Sequence, residues 1–185
     1  MKTKYKPLGQ FLNENHDNDE SVLDFLEKTA PYIGYIVHSF NSLEEELNSR
    51  ICFEISDRSD AMGAIVIHKM SYSSKIDLFS RMIKSKELGM ELKYPSFDNI
   101  IKNLKECGSL RNAVVHAEWE NMTSDGYTYV NLRFNKNGWK QEYRQFDIES
   151  LEAIDDLIHD TYIMLSEFEE EMYNTERAKY PPRKN

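Results

Sequence analysis

The sequence predicts a mostly α protein, a helical bundle with a small antiparallel β-meander inserted before its C-terminal helix. Three observations carry that prediction. From Glu20 to Val115 apolar residues recur at three- and four-residue steps. After His116 the pattern changes to strand-like alternation, and from Leu151 to Met172 it returns to helical spacing. The chain has 185 residues and is 40% hydrophobic, which suits one domain with a packed core and rules out wholesale disorder.

Each element follows from local chemistry. Residues 1–19 hold Pro7, Gly9 and a polar run from Asn13 to Asp19, so they read as a loosely ordered arm. From Glu20 to Ser56 the residues Phe25, Ile33, Ile36, Phe40, Leu43, Leu47 and Ile51 line one helical stripe. Pro31 is expected to kink or divide that stretch after Lys28. Asp57 to Asp60 forms a turn with a capping residue. The next helix breaks near Ser71, and Ile76, Phe79 and Ile83 give its later apolar face. Gly89 to Pro95 is a loop, and Ser96 caps a helix whose Phe97, Ile100, Leu104, Cys107 and Val114 are spaced for burial.

Three strands follow, Trp119 to Met122, Tyr127 to Phe134 and Trp139 to Phe146. Asp125-Gly126 and Asn137-Gly138 are their hairpin turns. Asp147 or Ser150 caps the last helix, whose seam is Leu151, Ile154, Ile158, Thr161, Leu165, Phe168 and Met172. Pro181-Pro182 ends it. The expected organisation is an arm at 1–19, a single helical domain at 20–175 with the meander at about 118–146, and a basic tail at 176–185.

The net charge of -9 argues at first against a nucleic-acid partner. Its distribution weakens the argument. Asp147 to Glu171 carries ten acids and no Lys or Arg, and the rest of the chain holds 22 acids against 23 bases. One helix therefore carries the whole excess as a solvated face, and the remaining surface is free to be locally basic. No run of 18 apolar residues exists, so no membrane span is expected, and the basic N-terminus lacks the apolar core of a secretion signal. Cys52 and Cys107 lie on apolar helical stretches and read as buried thiols of a cytoplasmic protein.

Several chemistries are excluded. GxGxxG, GxxxxGK[ST] and HExxH do not occur, and the histidines stand singly, so neither a cofactor nor a metal is expected. One segment stands apart: Leu110-Arg111-Asn112-Ala113-Val114-Val115-His116. Asn112 and His116 are four residues apart and share one helix face, Arg111 is next to that face, and Val114 and Val115 pin the other side. A cation, an amide and a titratable base then meet one solvent pocket. The residues also allow another arrangement, with Arg111 paired to Glu118 or Glu44 and His116 capping the helix C-terminus.

This segment resembles the signature of the HEPN superfamily (higher eukaryotes and prokaryotes nucleotide-binding domains), helical bundles that carry Arg, a polar residue and then His after four to six positions. Phe40 to Asn48 is similar to the family's first long helix, and Met70 to Phe79 to its second. The likeness spans roughly Tyr32 to Met172 and makes the expected fold a HEPN-like bundle. It implies a metal-independent endoribonuclease with Arg111, Asn112 and His116 as catalytic residues, acting on RNA as a homodimer whose two motif helices line one cleft. Glu44, on the first long helix, is a candidate cleft residue. The resemblance further implies 2′,3′-cyclic phosphate products, a toxin or phage-defence role, and, for a toxin, a cognate antitoxin. The alternative that keeps the fold is a non-catalytic dimeric binding or scaffold protein.

Overall fold

The computed structural model of the protein describes residues 1–8, 20–56, 59–122, 127–136 and 138–181, and at 21, 22 and 120–122 it describes the backbone alone. In chain order the elements are β1 (Thr3–Pro7), α1 (Glu20–Ile55), α2 (Asp60–Ile67), α3 (Tyr72–Gly89), α4 (Phe97–Val115), β2 (Glu118–Met122), β3 (Tyr127–Asn135), β4 (Gly138–Gln145) and α5 (Ile148–Lys179). The class is as the periodicity predicts, mostly α with a small antiparallel sheet before the last helix. The chain divides into two compact units, one built from residues 1–38 and 109–156, the other from 39–108 and 157–185.

In the first unit the sheet order is β1-β4-β3-β2. The expected meander is therefore extended by a fourth strand, which corrects the reading of residues 3–7 as part of a loose arm. Thr3–Pro7 pairs antiparallel with β4, with Tyr5 opposite Glu142 and Lys4 opposite Tyr143. Lys4 lies 3.7 Å from the Tyr127 ring centroid and Lys6 lies 5.0 Å from that of Tyr143, so cation–π contacts add to the backbone ladder. Pro7 ends an edge strand, where its missing N–H does little harm. Residues 9–19 of the expected arm lie outside the described residues. In the β3–β4 hairpin Asn135 pairs with Gly138, and Gly138 takes φ +96°, a conformation that glycine adopts without strain. Asn137 and the Asp125-Gly126 turn lie outside the described residues.

α5 begins where Asp147 accepts a hydrogen bond from the Ser150 N–H at 2.8 Å, so Asp147 is the cap. The Ser150 hydrogen bonds hold the Asp147 carboxyl below its ordinary range. Every predicted seam residue of α5 is buried, Thr161 included. The Thr161 hydroxyl donates to Leu157 O at 2.6 Å, which satisfies the one polar seam position. α5 runs through Lys179 and so reaches four residues past the expected domain boundary at 175.

Two helix-end expectations need correction. Pro31 does not divide α1, which runs unbroken for 36 residues. A proline inside a helix costs about 3 kcal/mol. Ile36, Leu43, Leu47 and Ile51 are each fully buried, and burying such a side chain contributes about 1.5–3 kcal/mol, so the stripe outweighs the lost bond. The Ser96 hydroxyl does not cap α4: it is buried and makes no hydrogen bond among the described residues. The Ser96 N–H instead donates to Glu171 at 3.0 Å.

The second unit centres on an aromatic cluster. Phe168 lies 5.7 Å from Phe97, 6.2 Å from Phe79 and 5.6 Å from Tyr94, measured between ring centroids. The break near Ser71 is present, with Ser71 as N-cap of α3 and Ser59 as N-cap of α2. Gly63 of α2 rests against Cys52 so closely that a Cβ there would come within 2.6 Å of the Cys52 Cα. No helix of the described residues is long and apolar enough to cross a membrane.

Candidate functional site

Arg111, Asn112 and His116 occupy the last turns of α4 and the residue that follows it. Ala113 and Val114 are buried beneath them, which fixes which way the polar face points. The helix end is closed from outside the motif. The Trp119 indole N–H donates to Val114 O at 2.9 Å, and the Trp119 ring packs on Phe146 at 5.3 Å between centroids. Trp119 thus closes the helix end, and His116 is exposed. Arg111 Nη1 donates to Asn112 Oδ1 at 3.0 Å, which ties the guanidinium to the amide beside it.

Asn112 and His116 line one pocket of about 320 Å³, together with Ser109 and Ala113 of the same helix. The opposite wall comes from the sheet, through Val130, Asn131 and Arg133 of β3 and Arg144 of β4. Glu142, 2% exposed, sits between the two arginines of this wall. Arg133 Nε donates to one carboxylate oxygen at 2.6 Å and Arg144 Nε to the other at 2.9 Å. Burial pushes the Glu142 carboxyl up, but the two arginine hydrogen bonds and charges outweigh it and hold the group below its usual range. Asn131 sits opposite Glu142 in the β3–β4 register and its Oδ1 accepts the Leu132 N–H at 2.8 Å.

Sequence reasoning did not single out Arg133, Arg144 or Glu142. The signal for them is the strand period. Glu142 and Arg144 are two apart and share a sheet face, and the Arg133–Lys140 pair places Arg133 diagonal to Glu142. That face meets α4 only through the tertiary fold of the unit.

Glu44 belongs to the other unit, where its carboxylate accepts from Lys75 at 2.7 Å. Lys75 is itself buried there, and Arg81 donates to the Asp77 carbonyl of its own helix. Cys107 is fully buried and contacts Thr161, and burial pushes its thiol up, against a nucleophilic role. Among the described residues no three His, Cys, Asp or Glu side chains gather as a metal ion would require.

The chain matches no protein-family model, and no curated protein or solved structure is significantly similar to it.

Proposed function

We propose that this chain is a metal-independent endoribonuclease of HEPN type, working as a homodimer and leaving 2′,3′-cyclic phosphate and 5′-hydroxyl ends. The observation that carries this reading is the meeting of Asn112 and His116 in one pocket, with Arg111 hydrogen-bonded to Asn112. The chemistry fits these groups. RNA presents a 2′-hydroxyl beside each phosphodiester. A neutral His116 imidazole takes the 2′-proton, and the 2′-oxygen attacks phosphorus. The bond from phosphorus to the 5′-oxygen breaks, and an imidazolium protonates that leaving oxygen. The Arg111 guanidinium stabilises the extra negative charge of the phosphorane through two-pronged contact with non-bridging oxygens. One subunit has one such histidine, and a two-fold dimer supplies the acid and the base together. A toxin or phage-defence role belongs to the same proposal and rests on the family resemblance.

The test incubates the protein with end-labelled RNA in excess chelator, beside Arg111→Ala and His116→Ala, and reads both product ends and sedimentation. Cleavage with cyclic phosphate ends is expected, reduced at least about 100-fold in each variant. RNA binding without turnover would sink the enzyme and leave the scaffold alternative. A monomer cleaving at full rate would remove the dimer from the mechanism.

A further inference from the structure

The pocket beside His116 has a polarity that the motif alone does not explain. The amide and carboxylate oxygens of its wall are already engaged by the protein. Asn112 Oδ1 takes Arg111, Asn131 Oδ1 takes the Leu132 N–H, and both Glu142 oxygens take arginine Nε–H groups. Among the described residues, donors are left over: the amide N–H groups of Asn112 and Asn131, the Ser109 hydroxyl and the terminal nitrogens of Arg133 and Arg144. No Asp or Glu is among the described lining residues, in a chain with 32 acids and 23 bases. Two guanidinium groups against one carboxylate leave a net positive charge in the wall. Each guanidinium gives Glu142 only its Nε–H, so its terminal pair stays available in a fork of fixed geometry. Arg144 is the inner cation, its side chain 14% exposed, and Arg133 the outer one, 55% exposed.

From this we infer that Arg133 and Arg144, braced by Glu142, form a phosphate clamp that holds a backbone phosphodiester of single-stranded RNA next to the one presented to His116. A pocket of about 320 Å³ lies at the small end of ligand sites, a size for one nucleotide unit rather than a duplex. The identity of the polyanion rests on the ribonuclease reading, whereas the clamp rests on the wall itself. Arg133 and Arg144 are binding residues in this assignment, and His116 keeps the chemistry.

The experiment measures binding of a fluorescent 2′-O-methyl oligoribonucleotide, which lacks the attacking hydroxyl, over a series of salt concentrations. Arg133→Ala is the main variant, because it leaves the inner Arg144–Glu142 pair in place. Arg144→Lys tests the inner fork while keeping its charge. Arg81→Ala removes one exposed charge elsewhere as a control. Loss of about tenfold in affinity is expected for Arg133→Ala, with the log–log salt slope flattened by about 0.7, the single-strand value for one phosphate contact. Arg144→Lys is expected to weaken binding several-fold with little change of slope, and Arg81→Ala to change neither. Wild-type affinity and slope in both wall variants would overturn the clamp, as would a wild-type protein that binds no RNA. Displacement of the RNA by equimolar nucleoside monophosphate would also overturn it, since the site would then be one for phosphomonoesters. Cleavage is scored in parallel with unmodified RNA. Turnover lost in His116→Ala but indifferent to the wall removes the clamp and leaves the nuclease. Wall-dependent binding without turnover removes the nuclease and leaves the clamp.

Discussion

The two units each contain a buried glutamate, and they use it in opposite ways. In the second unit Glu87, 5% exposed, accepts the Tyr94 N–H at 2.9 Å and faces Lys93 at 3.2 Å, whose side chain is 78% exposed. That carboxylate holds backbone, tying the segment after α3 to the helix it leaves. In the first unit Glu142 holds side chains, two arginines whose far ends reach a pocket. The Glu44–Lys75 pair of the second unit cancels to neutrality. The Arg133–Glu142–Arg144 group does not. A buried carboxylate with a backbone donor is a structural tie, whereas one that positions surplus positive charge at a cavity equips a site for anions.

The sharpest way to break this comparison is to remove each carboxylate. Glu142→Ala leaves two guanidinium groups without their counter-charge, Arg144 being half-buried. A loss of about 3–5 kcal/mol is expected in urea unfolding, together with loss of RNA binding. If stability falls while binding is untouched, Glu142 is a structural tie like Glu87. Glu87→Ala strands the buried Tyr94 N–H and is expected to cost about 1–3 kcal/mol, with RNA binding as in the wild type. A binding defect there would erase the distinction between the two regions.

Acid titration gives the smallest and most specific effect. The folded Glu142 carboxyl lies below its ordinary value, so its stabilising contribution is complete above about pH 4.3 and is lost as pH falls through the lower folded value. Glu142→Gln has no such titration. The difference in urea midpoint between wild type and Glu142→Gln is therefore expected to shrink on acidification through that window. A difference independent of pH would mean that the arginines do not hold the carboxylate in its charged form.

Much of the fold is legible residue by residue. The α5 seam from Leu151 to Met172 could be read from spacing because a single helix must bury one stripe, and all of it is buried. Asp147 is readable as a cap because capping is local. Pro31 does not end α1 because the burial of the helix's apolar stripe overrides a purely local penalty. Ser96 misled because the bond at the start of α4 comes from Glu171, 75 residues away in sequence. Thr3–Pro7 is only five residues long and almost wholly exposed, so only the β4 edge reveals it as a strand.

The candidate site divides along the same line. The sequence by itself determined that Asn112 and His116 share a face, since four residues make about one helical turn, and that Arg111 is next to them. Only the tertiary structure decided that a sheet face carrying Arg133, Arg144 and a buried Glu142 closes the pocket in front of that turn. Helical spacing is a property of consecutive peptide units, whereas the approach of a strand face to a helix end is set by packing between segments distant in the chain.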